Sequence, residues 1–284
     1  MREDLKERAK KAAESYLLGI QPTLRRKAVF TAGLPGTGKS RILRKAIREK
    51  DFVVIDPDDL KPYFYDYAND SGEIHAAAGL CACLVRNACI EKGAGYVLDS
   101  TMTSIGNVRV ELGKARDAGY DVEICAISAS LTESVLGVVE RFFLYEERGL
   151  RGRIMDFEWL KERAFQFPFA MEEAARYRPV RFMAYDADEN PILYAEREEI
   201  DASVLLRVFG SAERRFSEKM HGDRLAGKIF IERSERAISK MEKAIGRNPN
   251  SVFVKYLEHL NSFLEGISRE REAEIRGAFC NPSV

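Results

Sequence analysis

An excess of charge of one sign is missing from this 284-residue sequence. Its 45 lysines and arginines balance 45 aspartates and glutamates, so the formal net charge is zero. A protein dedicated to nucleic acid usually carries a basic surplus that meets the phosphates. The balance therefore disfavours nucleic acid as a partner.

Long apolar runs are missing as well. No stretch approaches the roughly 20 apolar residues that a membrane-spanning helix needs. The first ten residues, MREDLKERAK, are charged and lack the apolar region of a signal peptide. We therefore expect a cytoplasmic protein that does not enter a membrane.

Cysteine is scarce and irregularly placed, with five residues, an odd number, and no spacing typical of a disulfide framework. Cys81, Cys83 and Cys89 follow His75 in an apolar stretch with helical character. A metal site there is one interpretation. The favoured interpretation is small thiols that fill a core in a reducing compartment.

The residues that are present are ordinary for a globular protein, with 45% hydrophobic and 32% charged side chains. Apolar segments predict strands that begin near Lys27, Phe52, Gly95, Val122 and Val180. Helical patterns separate these segments. Strands that alternate with helices form a mainly parallel sheet covered by helices on both faces. The sequence therefore predicts an α/β fold.

One segment of the chain, Gly33–Ser40 with the sequence GLPGTGKS, fits the phosphate-binding pattern G-x-x-x-x-G-K-[ST]. Its glycines allow backbone conformations in which successive N–H groups surround a phosphate, and the following helix adds its positive end. A predicted strand precedes the segment and a predicted helix follows it. The pattern and its context predict the sheet of a P-loop NTPase. The alternative is a glycine-rich turn that binds nothing.

The P-loop predicts ATP, or a similar nucleoside triphosphate, and Mg²⁺ as ligands. Lys39 is expected to meet the β- and γ-phosphates, and the Ser40 hydroxyl is expected to bind Mg²⁺. The expected nucleotide-binding residues are Gly33, Pro35, Gly36, Thr37, Gly38, Lys39 and Ser40.

Acidic residues follow two of the predicted strands. Asp58, in the turn Asp56-Pro-Asp-Asp, is a candidate base for an attacking hydroxyl, because strand ends at one sheet edge lie near the phosphates. The alternative is that Asp58 or Asp59 caps the helix that begins there. Asp99 ends the third strand, where many P-loop enzymes place an acid that supports Mg²⁺, or it caps the following turn. Thr101 in that turn is a candidate hydrogen-bond donor to substrate.

Four arginines lie within residues 141–153, around Gly149 and Gly152. They are Arg141, Arg148, Arg151 and Arg153. Arginines on a mobile loop can close over phosphates and stabilise developing charge. A single arginine is more often a solvated surface group, but this clustering favours a lid.

The chain resembles the zeta toxin family of P-loop kinases over roughly Val29 to Tyr194. The resemblance rests on the order and spacing of the blocks GLPGTGKS, VVIDPDDLK, YVLDST, GYDV and VERF, with Gly152-Arg153 beyond them. It implies transfer of the ATP γ-phosphate to a hydroxyl, typically on a UDP-activated amino sugar such as UDP-N-acetylglucosamine. It also leaves room for an antitoxin protein as a partner.

The resemblance assigns roles by position. Asp58 matches the family's proposed base, and Arg141 matches its helix arginine. Arg153 matches the loop arginine if one residue is deleted, and Arg151 is a substitute. Asp99 stands where the family usually has glutamate, and Thr101 matches its threonine; both are expected to bind substrate.

Two departures from the family pattern concern the region that faces the acceptor. The family's His-Pro after the acidic motif is replaced by Lys61-Pro-Tyr, and a basic residue is replaced by Thr103. Other acceptors therefore stay open, namely the ribose of NAD, a nucleic-acid end or a small antibiotic. An ATPase or ATP-dependent switch is a further alternative, whereas the missing Asn-Lys-x-Asp motif argues against a GTPase.

Three parts of the chain are expected. They are an N-terminal amphipathic helix over 1–26, a P-loop kinase core over 27–196, and a helical extension over 197–284. The last boundary is placed where strand patterns stop. In the extension, an apolar stripe from Phe253 to Ile267 must pack on something, its own core being favoured over a partner or a second copy.

Overall fold

The computed structural model describes residues 2–17, 23, 26–46, 52–65, 71–150, 152, 154–248 and 251–280, with the backbone alone at 44–46, 71 and 270–280. The chain divides into two compact units. The first unit comprises Met1–Ala129 and Arg163–Ser211, and the second comprises Ser130–Glu162 and Ala212–Val284. Each unit is described by itself below.

A six-stranded sheet in the first unit has the strand order β2-β3-β1-β4-β5-β6. The strands are β1 Lys27–Ala32, β2 Val53–Ile55, β3 Tyr96–Leu98, β4 Asp121–Ile127, β5 Arg181–Tyr185 and β6 Pro191–Glu196. Strands β1 to β5 pair in parallel, and β6 pairs antiparallel to β5. The predicted mainly parallel α/β sheet is confirmed. Because β1 lies between β3 and β4, the chain leaves β1 near the point where the connections change direction, the usual ligand position in such sheets.

Helices connect the strands and complete both units. In chain order they are α1 Glu3–Tyr16, α2 Lys39–Ala46, α3 Pro57–Leu60, α4 Ser71–Lys92, α5 Ile105–Asp117, α6 Leu131–Glu147, α7 Phe157–Ala175, α8 Ala202–Gly210, α9 Ala212–Gly222, α10 Arg224–Arg247 and α11 Phe253–Cys280. A short 3₁₀ helix, Lys61–Phe64, follows α3. The boundary between the units falls inside α7.

Helix α4, alone among the described helices, meets the length and composition criterion for a membrane span. Its Gly72–Lys92 segment is long and apolar enough to cross a membrane by length and composition, a result that the sequence interpretation did not anticipate. A core helix passes the same test. Residues of α4 such as Ala77, Cys81 and Val85 are fully buried in the core of the first unit, and α1 packs against this helix. The expectation of a cytoplasmic location stays a prediction.

The second unit is a helical cluster built around α6. Helix α6 begins with a capping box. The Ser130 side chain accepts a hydrogen bond from the Glu133 backbone N–H, and the Glu133 side chain accepts one from the Ser130 backbone N–H. Residues of α6, α10 and α11 share one apolar core that includes Val139, Met241 and Leu260. The apolar stripe on α11 packs within this core.

These units do not follow the expected boundaries at 26/27 and 196/197. Leu5 of α1 and Leu205 of α8 are buried in the same core as the sheet, although both lie outside 27–196. Conversely, α6 lies inside 27–196 and belongs to the second unit. Apolar spacing predicts which side of a helix is buried but not which element covers it. Whether the three expected segments behave as domains stays a prediction.

Candidate nucleotide-binding site

The segment Gly33–Ser40 connects β1 to α2 through a backbone that only glycine adopts readily. Gly33, Gly36 and Gly38 have φ angles of 145°, 78° and 89°. A Cβ atom at Gly33 would lie 3.1 Å from the carbonyl oxygen of Ile127. The Gly33 N–H also donates to the Thr101 carbonyl oxygen over 2.9 Å. The start of the loop therefore lies between the carboxyl end of β4 and the turn that follows β3.

Two side chains fold back onto this loop. The Thr37 hydroxyl donates to the Leu34 carbonyl oxygen over 2.8 Å, and the Lys39 ammonium donates to the same oxygen over 2.9 Å. A positive charge thus lies within a loop whose glycines let N–H groups turn toward one centre, at the start of a helix. Positive charge, N–H groups and a helix N-terminus together suit an anion such as a phosphate.

Asp99 follows β3 and is buried beside the P-loop. Its Oδ2 accepts a hydrogen bond from the Ser40 hydroxyl over 2.9 Å, and its Oδ1 accepts one from the Thr31 hydroxyl over 2.6 Å. Its backbone N–H donates to the Ile55 carbonyl oxygen over 2.9 Å, which ties the residue to the end of β2. The structure thus places the Asp99 carboxylate against the P-loop serine, and its role toward Mg²⁺ stays a prediction.

The Ser40 hydroxyl and the Asp99 carboxylate fit Mg²⁺ by their chemistry. Mg²⁺ prefers oxygen ligands and is commonly held by one or two carboxylates, waters and the phosphates of a substrate, not by a full protein cage. No group of three or more His, Cys, Asp or Glu side chains suited to a metal occurs among the residues that the structure describes. A metal there would depend on this hydroxyl–carboxylate pair.

The metal interpretation of the cysteines on α4 is not supported in the described part of the chain. Cys81 and Cys89 are buried, and burial raises the pKa of Cys81 to about 11 and that of Cys89 to about 12. Thiols with such pKa values stay protonated near neutral pH and are poor metal ligands. Cys81 and Cys89 serve as core residues, whereas Cys83 is exposed and does not fill the core as expected.

Asp56 and Asp58 take different positions at the start of α3. Asp56 is the N-cap, since its Oδ1 accepts the Asp58 backbone N–H over 2.8 Å. Burial, and then the negative charge of Asp99, raise the pKa of Asp56 to about 7. Asp58 has an exposed side chain that forms an ion pair with Lys61. The capping role considered for Asp58 therefore belongs to Asp56.

The turn after Asp99 contains Thr101 and a residue in an unusual conformation. Besides bonding Gly33 through its carbonyl, Thr101 accepts a hydrogen bond from the Thr103 hydroxyl over 3.4 Å. Met102 is fully buried with a φ angle of 45°, a left-handed conformation that is uncommon outside glycine. Such conformations persist where surrounding contacts impose them, often at functional sites.

The four predicted lid arginines are described only in part. Arg141 is half-buried on α6, and Arg148 ends that helix. Arg151 and Arg153 lie outside the described residues. Whether any of the four acts on phosphates stays a prediction.

One described residue of the same loop, Gly152, packs closely on α6. Its N–H donates to Glu146 Oε1 over 2.7 Å, and a Cβ atom there would lie 2.7 Å from the Phe142 carbonyl oxygen. Only glycine fits so close to the helix backbone. The predicted lid loop is therefore held against the last turns of α6 at this position.

Three residues of the site were not singled out by sequence reasoning as functional. They are Thr31, which contacts Asp99; Asp56, which was assigned only to the turn; and Met102. Thr31 carried a weak signal, as a hydroxyl in a strand that is otherwise apolar after Lys27. The conformation of Met102 has no counterpart in the sequence pattern.

The chain is similar to solved structures of other proteins. Among solved structures, a chain from the PezAT chromosomal toxin–antitoxin system of Streptococcus pneumoniae is similar, with a TM-score of 0.57 and 18% identity over 74% of this chain and 88% of that chain. This likeness shows a shared fold. The AvrRxo1-ORF1:-ORF2 complex with ATP aligns at a TM-score of 0.49 and 18% identity, over 73% of this chain and 70% of that chain.

The search of curated proteins finds no match. The sequence model of the Zeta toxin family matches residues 14–199, about two thirds of the chain. This range contains β1 to β6, the complete P-loop and the acidic residues that follow β2 and β3. The chain therefore belongs to the zeta toxin family.

Proposed function

We propose that this protein is a kinase that transfers the γ-phosphoryl group of ATP to a hydroxyl of a small-molecule acceptor. One observation carries the proposal: a complete P-loop whose Ser40 hydroxyl meets the buried Asp99 carboxylate over 2.9 Å. Membership of the zeta toxin family, whose members are kinase-like toxins, supports the same reaction class.

Nucleotide binding is assigned to the P-loop. Its N–H groups and the Lys39 ammonium would bind the phosphates, and Lys39 would exchange its contact with the Leu34 carbonyl for phosphate oxygens. Ser40 and Asp99 would hold Mg²⁺, which when bound neutralises negative charge on the phosphates. The remaining loop residues, Gly33, Pro35, Gly36, Thr37 and Gly38, shape the cradle.

Transfer needs a proton acceptor for the attacking hydroxyl. In the proposed step, the acceptor oxygen forms a bond to the γ-phosphorus, and the bond from that phosphorus to the bridging oxygen breaks. ADP leaves with the electron pair, and the hydroxyl proton passes to Asp58. Phosphoryl transfer has a loose transition state, so positioning and charge compensation matter more than base strength. The ion pair with Lys61 would fix the Asp58 carboxylate until the acceptor arrives.

The remaining roles are proposed from the family resemblance. Arg141 and Arg153 would stabilise the charge that develops on the transferred group, with Arg151 as a substitute for Arg153. Thr101 and Asp99 would contact substrate. UDP-N-acetylglucosamine is the first acceptor to test, followed by NAD, oligonucleotides and small antibiotics, because the Lys61-Pro-Tyr segment departs from the family pattern.

An antitoxin protein is proposed as a partner. The similar chain from Streptococcus pneumoniae comes from a toxin–antitoxin system. If this chain is a toxin of the same kind, its producer requires an inhibitor of the kinase. Co-expression with the product of an adjacent gene, followed by co-purification and loss of kinase activity, would test this partner.

The test of the kinase proposal uses ATP labelled at the γ-phosphate with each acceptor in turn. Asp58→Asn keeps the shape of the side chain and weakens its ability to take a proton, so transfer should fall about 10²–10⁴-fold while ATP affinity is retained. Asp59→Asn, an exposed neighbour on α3, is the matched control and should transfer at the wild-type rate.

Two results would overturn parts of this proposal. Wild-type transfer by Asp58→Asn would remove Asp58 as the base. Steady ATP hydrolysis with no labelled acceptor would replace the kinase assignment by that of an ATPase or ATP-dependent switch.

A further inference from the structure

Thr31 carries a buried hydroxyl at the end of β1 that the reaction described above does not use. The side chain is 1% exposed. Its Oγ1 lies 2.6 Å from Asp99 Oδ1 and 3.1 Å from the Ser100 carbonyl oxygen, and it accepts the Ser100 N–H over 2.9 Å. One small side chain thus meets three polar groups of the segment after β3.

The Thr31 hydroxyl has one proton, so it can donate a full hydrogen bond either to Asp99 Oδ1 or to the Ser100 carbonyl oxygen. Asp99 Oδ1 is the closer one, and hydrogen bonds to an ionised carboxylate are shorter and stronger than those to a neutral carbonyl. The Ser100 N–H occupies a lone pair of the same hydroxyl oxygen. Thr31 is therefore itself held in place, and it donates to Asp99.

Asp99 is consequently fixed at both carboxylate oxygens. Thr31 binds Oδ1 and Ser40 binds Oδ2. The two contacts differ in origin, because Thr31 lies on a sheet strand and Ser40 lies on the first turn of α2. The Thr31 contact would hold the carboxylate when the Ser40 hydroxyl turns to another ligand.

The same strand end is also tied to the P-loop. Gly33, two residues after Thr31, donates its N–H to the Thr101 carbonyl oxygen over 2.9 Å. Both ends of the short segment Thr31–Gly33 are thus bonded to the neighbouring residues Ser100 and Thr101. The P-loop and the acidic turn form one hydrogen-bonded unit through Thr31.

We propose that Thr31 is a positioning residue whose buried hydroxyl orients the Asp99 carboxylate toward Ser40 for binding of the Mg²⁺–ATP complex. The proposal rests on the proposed function, because it assigns Asp99 and Ser40 to Mg²⁺. If position 31 needed only a β-branched side chain for packing in the strand, valine would serve as well as threonine. The hydroxyl is what the proposal requires.

The test measures how much Mg²⁺ is needed for ATP binding by calorimetry, without any acceptor. Partners that orient a metal ligand typically contribute about 10–100-fold to metal affinity. Thr31→Val should raise the Mg²⁺ concentration for half-maximal ATP binding by about that factor. Thr31→Ser keeps the hydroxyl and should restore the wild-type requirement.

Ser128→Ala is the matched control. Ser128 is also buried at the end of a neighbouring strand, and its hydroxyl bonds the Val208 carbonyl oxygen and not Asp99. It should leave the Mg²⁺ requirement unchanged. If Thr31→Val does not fold, Thr31→Cys replaces the strong donor by a weak one of similar size and should show the same direction of change.

The outcomes separate this proposal from the kinase assignment. An equal Mg²⁺ requirement in Thr31→Val and wild type, or an equal shift in Ser128→Ala, would overturn the role of Thr31 alone. Mg²⁺-dependent ATP binding with no phosphorylated acceptor would overturn the kinase assignment alone. ATP binding that is independent of Mg²⁺ in the wild type would overturn the role of Thr31 and leave the kinase assignment to the transfer assay.

Discussion

Lys39 places a full positive charge inside the P-loop, where its ammonium bonds the Leu34 carbonyl oxygen. Lys39→Ala should weaken Mg²⁺-dependent ATP binding by about 1.5–3 kcal/mol, because one charge-assisted contact to phosphate is lost. Calorimetry measures the change. Lys114→Ala, an exposed lysine on α5, is the control. Equal ATP affinity in both variants would count against the P-loop as the nucleotide site.

Asp56 is expected to make stability depend on pH. Its pKa in the folded protein is about 7, above the value of 3.8 for an unperturbed aspartate, because of burial and the charge of Asp99. As the pH rises, the Asp56 carboxyl therefore keeps its proton to a higher pH in the folded state than in the unfolded state. The resulting stabilisation is complete below pH 3.8 and is lost as the pH rises to about 7.

Asp56→Asn stays neutral and keeps an oxygen for the Asp58 N–H. The free energy of unfolding of this variant, minus that of wild type, should therefore be higher at pH 8 than at pH 4.5. The expected change in this difference is on the order of 2–4 kcal/mol. Urea unfolding of the metal-free protein at the two pH values measures the difference. The same difference at both pH values would contradict the assignment.

Some residues of the site could be predicted from the sequence around them, whereas the roles of others depend on the order of the strands in the sheet. Lys39 and Ser40 were predictable because the P-loop pattern contains its own backbone geometry. Asp99 was predictable from its place at a strand end. Thr31 was not, because its role depends on β1 lying beside β3, which no segment of sequence encodes by itself. The same strand order brings Asp56 into the field of Asp99.

At the scale of elements, α6 shows how a local signal sets a boundary. The sequence predicts a helix over 131–147, and the structure has Leu131–Glu147. Ser130 and Glu133 account for the start, since Ser130 Oγ accepts the Glu133 N–H over 3.1 Å and Glu133 Oε2 accepts the Ser130 N–H over 2.8 Å. Satisfying these N–H groups stops the helix from extending backward.

Ser130→Ala should lower the free energy of unfolding by about 1 kcal/mol, because the first turn of α6 loses its cap. Urea unfolding measures the change. Ser217→Ala, an exposed serine within α9 of the same unit, is the control and should change stability by less than about 0.5 kcal/mol. Equal effects would mean that the cap contributes nothing specific.

At the scale of the whole molecule, the alternation of strands and helices was predictable, whereas the grouping of helices was not. The sequence pattern of α11 showed that the helix has an apolar face, but it did not show which residues pack against that face. In the structure that face shares a core with Val135 and Val139 of α6, which precedes it by more than a hundred residues. Helical periodicity carries no information about such distant partners.

A chain that ends after Ser211 keeps the first unit and its P-loop but removes α9 to α11. The apolar side of α6 would then lose the residues of α9 to α11 that share its core. We expect this chain to associate or aggregate and to bind a hydrophobic dye, by size-exclusion chromatography and fluorescence. A monomeric chain with unchanged dye binding would show that α6 needs no cover from the C-terminal helices.

Leu260→Ala is a milder test of the same cover. Leu260 is fully buried in the core of the second unit, so the substitution should cost about 2–5 kcal/mol. Leu225→Ala changes a residue that is 67% exposed and should have almost no effect. Similar stabilities for the two variants would contradict the packing of α11.

The order in which the units share the chain has a consequence for synthesis on the ribosome. Helix α6 is complete at Glu147, but α10 and α11, which share its apolar core, begin only at Arg224 and Phe253. At translation rates of about 5–20 residues per second, the stretch between them takes roughly 4–15 s to emerge. A helix forms in about a microsecond or less, so the nascent chain carries a finished apolar face without α10 and α11 for this whole interval. The yield of folded protein should therefore depend on translation speed and on chaperones that shield nascent chains, whereas the stability of the finished protein should not.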